Sequence, residues 1–106
     1  MDFKEHALMS LWELVGGDEL RPKKFTMSNA WQFYDEKSRQ FPQATNCILK
    51  ITPHGNRFEI VQLLVTDDME LIQLDEENCV GRRLLAESIS EDVVDFLDGE
   101  TFKLMQ

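Results

Sequence analysis

The stretch CILKITPHGNRFEIVQLLV, residues 47–65, decides the fold. Two runs rich in β-branched and aliphatic residues, 47–51 and 57–65, flank a short loop that contains proline and glycine, which predicts an antiparallel hairpin. Apolar side chains alternate along the second run and fall on both of its faces, with Phe58, Ile60 and Leu64 on one face and Val61, Leu63 and Val65 on the other. A strand of this kind is covered on both sides or belongs to a strongly curled sheet.

Further strands are predicted after the hairpin, separated by acidic turns. Residues 66–68 and 75–78 are rich in Asp, Glu and Asn, which favour turns. One strand is predicted between these two turns, at 69–74, and another after the second turn, at 82–88. Residues 102–105 are predicted to form a final strand at an edge. The chain is therefore expected to build an antiparallel sheet of four to six strands.

An amphipathic helix is predicted over residues 3–15, before the sheet. At 100° per residue its apolar side chains gather on about half of the circumference. These side chains are Phe3, Ala7, Leu8, Leu11, Trp12, Leu14 and Val15. Asp2 caps the start with Glu5 three residues on, and two glycines at 16–17 end the helix. We expect this wide apolar face to pack on the sheet.

Residues between this helix and the hairpin have a less regular pattern. A loop over 18–30 leads into a strand near Phe25. Residues 31–34, WQFY, alternate aromatic side chains with others, which predicts extended structure, and residues 35–38 have the composition of a turn. Residues 39–46 are predicted to be irregular.

A short acidic helix is predicted over residues 90–98. Ser88 or Ser90 caps its start and Gly99 ends it. Its apolar face comprises Ile89, Val93, Val94, Phe96 and Leu97. Its opposite face carries four carboxylates, those of Glu91, Asp92, Asp95 and Asp98. All the predicted elements together describe a single α+β domain over residues 1–106.

The composition agrees with one compact domain. Of the 106 residues, 42% are hydrophobic, and a chain of this length buries roughly two thirds of its unfolded surface. The N-terminus lacks the basic start and apolar run of a secretory signal, and no stretch approaches the roughly eighteen apolar residues that span a bilayer. Cys47 and Cys79 form no CxxC pair and are predicted to be reduced. We expect a cytoplasmic protein without a membrane partner.

The net charge of −9 belongs to the second half of the chain. Residues 1–53 carry seven basic and seven acidic side chains, whereas residues 54–106 carry four basic and thirteen acidic ones. A region so negative attracts cations and basic proteins. Asp95 and Asp98 are not explained by the helix dipole, which favours acids only at a helix start, and they repel their neighbours at spacings of three and four.

These features predict a non-catalytic interaction or regulatory module that docks on a basic partner protein, with the character of an inhibitor or immunity-type protein. The residues expected to contact the partner are Glu91, Asp92, Asp95, Asp98, Asp75, Glu76 and Glu77. A solvated face that only keeps a small protein in solution is the other interpretation of the same charge.

The sequence argues against an enzyme, a metal site and a cofactor. Neither His6 nor His54 stands in a local signature with a cysteine that would indicate a nucleophile and its base. The acidic turn at 75–77 lacks the ligand ladder and central glycine of a calcium loop.

Direct binding of nucleic acid is also not expected. The basic cluster Arg21, Lys23 and Lys24 is too small for a nucleic-acid footprint on a chain whose pI is near 4.6.

Two other functions stay open. If the sheet curls, aromatic and aliphatic side chains line a small-molecule pocket, as in cystatin-like or lipocalin-like architectures. The lining residues would be Trp31, Phe33, Phe58 and Ile60. The predicted edge strand at 102–105 also offers unpaired backbone groups through which two copies of the chain would pair.

Overall fold

The computed structural model describes residues 23–76 and 78–106. The elements in chain order are β1 (Lys24–Phe25), α1 (Met27–Gln40), β2 (Asn46–His54), β3 (Arg57–Val65), β4 (Gly81–Ala86), β5 (Ser88–Ile89), α2 (Glu91–Leu97) and β6 (Phe102–Met105). An antiparallel sheet has the strand order β4-β3-β2-β6, and β1 pairs with β5 in parallel. The predicted α+β class is confirmed, and the four-stranded sheet is open at β4 and β6. The helix predicted over 3–15 lies outside the described residues.

The predicted hairpin is the centre of the sheet. β2 and β3 pair antiparallel along their whole lengths, from Asn46 opposite Val65 to His54 opposite Arg57. Gly55 closes the turn with φ of 66°, in the left-handed region that glycine enters without a steric penalty. The predicted hairpin is therefore present, and β4 and β6 pair with its two edges.

Both faces of β3 are buried, as its alternating pattern predicts. Ile60 and Leu64 belong to the main core between the sheet and the two helices. Val61, Leu63 and Val65 belong to a second cluster on the other face, with Ile48. All six of these side chains are at most 5% exposed. β3 is thus a central strand with apolar contacts on both sides.

The predictions for residues 31–34 and 35–38 are wrong, and so is the end of the loop predicted over 18–30, because residues 27–38 all lie within α1. A capping box starts this helix. The Thr26 hydroxyl accepts from the Asn29 amide at 3.2 Å, and Asn29 Oδ1 accepts from the Thr26 amide at 3.1 Å. Two of the four orphan amides at the helix start are thereby satisfied, so the local backbone favours a helix.

The apolar face of α1 explains why alternation misled the prediction. Its buried side chains are Met27, Ala30 and Phe33, spaced by three residues, which is a helical period. Residues 31–34 contain only one member of that stripe, Phe33. A window of four residues is therefore too short to show the helical spacing, and its aromatic residues resemble the alternation of a strand. The irregular segment predicted at 39–46 is correspondingly shorter and joins α1 to β2 over residues 41–45.

The prediction of a third strand over 69–74 is also wrong. This stretch makes only isolated bridges, between Val65 and Leu71 and between Gln73 and Cys79. Met69 takes a left-handed φ of 64°, which breaks an extended run. The turn predicted over 66–68 is confirmed, and the acidic connection between β3 and β4 folds back on the end of β3 as a loop.

The fourth predicted strand, over 82–88, divides in two. β4 pairs with β3 and ends at Ala86, whereas β5 leaves the sheet and pairs with β1. The backbone amides of Ser88 and Ser90 donate to the carbonyls of Lys23 and Phe25 at 3.0 Å each. This pairing confirms a strand near Phe25 and brings the segment before α2 alongside the segment before α1.

The predictions for the C-terminal region are largely confirmed. α2 ends at Leu97, and the next two residues, Asp98 and Gly99, take left-handed φ values of 50° and 84°. β6 then pairs with β2 at the edge of the sheet. None of the helices formed by the described residues has the length and apolar character needed to cross a bilayer.

We expect Gly81→Ala to lower the free energy of unfolding by about 1–3 kcal/mol, the usual effect of overpacking. A methyl group at this position would collide with the backbone oxygen of Gln62 and lie 2.6 Å from Leu63 Cδ2. Urea denaturation measures the change.

Gly55→Ala provides the comparison for this variant. The space around Gly55 is open, so its alanine variant suffers only the left-handed backbone penalty of about 1–2 kcal/mol. A Gly81→Ala protein as stable as the wild type would contradict the close approach of β4 to β3.

Candidate functional site

The carboxylates on α2 face outward from a well-anchored helix. Val93 and Leu97, four residues apart, are 0% and 7% exposed and fix the helix in the main core. Glu91, Asp95 and Asp98 are exposed. These three make no ion pair with any residue that the structure describes. α2 therefore presents carboxylates whose charge is not neutralised within the described part of the chain.

Val94 departs from its predicted place on the apolar face of α2. It is 53% exposed, because the seven-residue helix buries only a narrow stripe through Val93 and Leu97. Phe96 is partly buried at the border of the core. The acidic face of α2 consequently contains one aliphatic side chain among its carboxylates.

Asp92 differs from the other carboxylates of α2, because it is bound within the fold. It accepts a short hydrogen bond from the Ser90 hydroxyl and a longer one, 3.5 Å, from the Met27 backbone amide. Mainly the Ser90 bond holds the pKa of Asp92 below its usual value. Asp92 thus places a negative charge at the start of α1, where the helix dipole favours it. Ser90 precedes α2 as predicted, although its hydroxyl donates to Asp92 instead of capping the backbone.

A lysine near α2 contacts an aromatic ring of that helix and not its carboxylates. Lys103 of β6 places Nζ 5.4 Å from the centre of the Phe96 ring, a cation–π contact. It forms no ion pair with the acidic residues of the described ranges. The negative field of α2 is therefore only partly offset by its neighbour.

The other predicted contact residues lie in a second acidic group. Asp75 and Glu76 are exposed in the connection between β3 and β4, and Glu77 lies outside the described residues. The Asp75 carboxylate accepts from the Asn78 backbone amide at 2.8 Å, which closes the predicted turn. Asp67 and Asp68 are exposed in the same connection.

The structure does not unite the two acidic groups. The β3–β4 connection leaves the sheet at Val65, whereas the chain toward α2 leaves it at Ala86, which pairs with Phe58. Phe58 and Val65 lie near opposite ends of β3. The six predicted contact residues that the structure describes therefore follow the sheet at two separate places, four of them at α2.

A buried polar network under α1 has no sequence signal that points to it. Gln62 is 0% exposed, and its Nε2 donates to the Ala30 carbonyl at 3.1 Å while its Oε1 accepts from Arg82 Nε at 2.8 Å. Arg82 Nη2 donates to the Asn29 carbonyl at 2.9 Å, and its guanidinium lies 4.3 Å from the Phe33 ring centre. Burial lowers the pKa of Arg82 to about 10.

The described residues offer little for covalent chemistry. Burial raises the pKa of the Cys47 thiol to about 12 and also raises that of Cys79, so both favour the neutral form, whereas nucleophiles and metal ligands are thiolates. His54 is exposed, with Nδ1 4.0 Å from Glu59 Oε2. Within residues 23–76 and 78–106, no three His, Cys, Asp or Glu side chains converge as a metal site.

The four residues predicted to line a ligand pocket do not share one surface. Phe33 and Ile60 are buried in the main core, and Phe58 packs against it. Trp31 instead lies on the outer side of α1 and is 40% exposed. A pocket that includes all four stays a prediction, while Trp31 alone faces an open groove.

That groove follows one side of α1. Its volume is about 750 Å³, and the residues that line it are Ser28, Trp31, Gln32, Tyr34, Asp35 and Ser38. The rings of Trp31 and Tyr34 are stacked, with centroids 5.9 Å apart. Because the pattern of residues 31–38 predicts a strand and a turn, it does not place these side chains on one helix face.

Comparison with protein-family models, with curated proteins and with solved structures gives no match. The function is therefore inferred from the residues and their geometry.

We expect alkaline pH to destabilise the protein through Cys47. Its native pKa is about 12 against an ordinary value of 9.0. Below pH 9 both states hold a neutral thiol. At higher pH the unfolded state releases a proton that the native state keeps, so stability falls by on the order of 1 kcal/mol per pH unit until the native pKa is reached.

The variant Cys47→Ala tests this effect by urea denaturation at pH 8 and pH 10 under reducing conditions. The stability advantage of the wild type over the variant should shrink by on the order of 1 kcal/mol between these pH values. Other titrations are common to both proteins and cancel in this difference. An advantage that is the same at both pH values would show that Cys47 ionises as in the unfolded chain.

We expect Asp92→Ala to lower the thermal midpoint, because it removes the acceptor for the Ser90 hydroxyl and the negative charge at the start of α1. Asp95→Ala is the matched control on the same helix. It should leave the midpoint unchanged or raise it, since it relieves repulsion by Glu91 and Asp98. Equal effects of the two variants would contradict a structural role for Asp92.

Proposed function

We propose that this chain is a non-catalytic docking module that binds a basic partner protein in the cytoplasm through the carboxylates of α2. The observation that carries the proposal is the exposure of Glu91, Asp95 and Asp98 on a helix that Val93 and Leu97 anchor in the core. A partner meets these charges in a fixed arrangement, so little ordering of the docking surface is required on binding.

Repulsion along α2 supports a use for these charges. Glu91 and Asp95 are four residues apart, and Asp95 and Asp98 are three apart, spacings at which like charges destabilise a helix by about 0.2–0.5 kcal/mol per pair. Asp98 also follows the helix C-terminus, where the dipole disfavours an anion. Attraction to a basic partner would offset this repulsion.

The long-range field supports the same proposal. The chain carries a net charge of −9, and opposite fields accelerate the encounter of two proteins. Asp92 is excluded from the expected docking set because it already binds Ser90 and Met27. The expected contact residues are therefore Glu91, Asp95 and Asp98. The acidic residues of the β3–β4 connection serve as the control for removal of charge.

The experiment is an affinity capture from the native cell extract, read by mass spectrometry. The test variant is Glu91→Gln/Asp95→Asn/Asp98→Asn. The control variant, Asp67→Asn/Asp68→Asn/Glu70→Gln, removes the same number of charges from the β3–β4 connection. Circular dichroism establishes that both variants fold.

We expect a basic protein to be captured by the wild type and by the control variant but not by the α2 variant. Its capture should also weaken as salt rises, because ions screen attraction between exposed charges. Identical captures by all three proteins would contradict docking through α2 and favour the interpretation of a solvated surface.

Self-association through β6 is a separate proposal with less support. β6 lies at an edge of the sheet formed by the described strands, and none of these strands pairs with its outer side. The strand has only four residues and carries Lys103, and short charged edge strands resist pairing. Sedimentation of the purified protein would show whether two copies associate.

A further inference from the structure

We propose that the groove on α1 binds an arginine side chain of the basic partner, with the guanidinium stacked on Trp31 and bonded to the Asp35 carboxylate. This inference rests on the proposed function and identifies a second contact for the same partner. A site for a guanidinium group requires a flat aromatic surface, a nearby carboxylate and an opening to solvent. The outer side of α1 has all three.

The aromatic surface is held in place. Trp31 is 40% exposed, and its ring stacks on Tyr34 with centroids 5.9 Å apart and planes 27° from parallel. The Tyr34 hydroxyl donates to the Thr45 carbonyl at 2.5 Å, and this bond fixes the Tyr34 ring against the segment before β2. A fixed indole face loses little freedom on binding, and it is the aromatic face that attracts cations most strongly.

The carboxylate is already used by a guanidinium. Asp35 lies four residues after Trp31 on α1, and its Oδ2 accepts from Arg39 Nη2 at 2.8 Å. Both side chains of this pair are more than 60% exposed, so the pair is weak and readily exchanged. A guanidinium from a partner can replace Arg39 at Asp35 and gain the indole face as well.

The chemistry of the groove favours arginine over lysine. A guanidinium is planar, stacks on an aromatic ring and presents several N–H groups in a fork that matches a carboxylate. An ammonium group has no plane to stack and keeps its water more strongly.

The groove is also joined to the proposed docking face. The first turn of α1 contacts α2 through the bond from the Met27 amide to Asp92. Trp31 lies one helical turn beyond Met27, which corresponds to about 5–6 Å along the helix axis. The start of the helix that carries the groove therefore lies beside the helix that carries the proposed docking face.

The test compares binding of fluorescently labelled hexa-arginine and hexa-lysine peptides at low salt, by fluorescence anisotropy. The two peptides have equal charge, so the ratio of their dissociation constants isolates what distinguishes arginine from lysine. Trp31→Leu removes the aromatic face and keeps an apolar side chain, and Asp35→Asn removes the carboxylate charge. Leu74→Ala is the control, since Leu74 is an exposed apolar residue in the β3–β4 connection.

We expect the wild type to prefer hexa-arginine, and Trp31→Leu to reduce this preference about two- to fivefold while hexa-lysine binding stays nearly constant. Asp35→Asn should also reduce the preference, and Leu74→Ala should leave it unchanged. In a Trp12→Phe background, which leaves Trp31 as the single tryptophan, hexa-arginine should change the indole fluorescence more than hexa-lysine does.

An unchanged preference in Trp31→Leu, with both peptides still bound, would overturn the arginine site and leave docking through α2 intact. Loss of both peptides in Glu91→Gln/Asp95→Asn/Asp98→Asn would support the docking face independently. Failure of the wild type to bind either peptide at low salt would overturn both proposals.

Discussion

One buried amide, that of Gln62, joins the helical layer of the domain to its sheet. A polar group without a partner in such a place is destabilising by about 1–3 kcal/mol. Here the nitrogen donates to the Ala30 carbonyl and the oxygen accepts from Arg82. Because Arg82 donates in turn to the Asn29 carbonyl, the amide determines both the position of α1 over the sheet and the position of the guanidinium beneath it.

The outer surfaces follow from the position of α1. Once Ala30 and Phe33 face the sheet, Trp31 must face outward, beside Tyr34. The start of α1 in turn receives the carboxylate of Asp92, which places α2 next to it. Asp92 stays exposed, but its carboxylate is engaged by this contact and by the Ser90 hydroxyl. A short polar chain of contacts thus connects the centre of β3 with both proposed binding surfaces.

The ionisable groups of the core and those of the surface lie in different environments. The ionisable groups of the main core favour their uncharged forms or are held by neutral acceptors, as the thiol of Cys47 and the guanidinium of Arg82 show. The exposed carboxylates of α2 are grouped on a helix that two buried residues anchor. A rigid helix with like charges on one side is slightly unfavourable in isolation and becomes favourable only when a cation approaches.

The sequence by itself determined the β2–β3 hairpin, the two apolar faces of β3 and the bounds of the acidic helix. These depend on alternation, caps and glycines within a few residues of one another. Only the tertiary structure decided that residues 31–38 are helical and that the carboxylate of Asp92 accepts a hydrogen bond from the start of α1. The contacts responsible link Gln62 to a residue 32 positions away and Asp92 to one 65 positions away. Side chains so distant in the chain meet only after the sheet has formed, so no local pattern records their pairing.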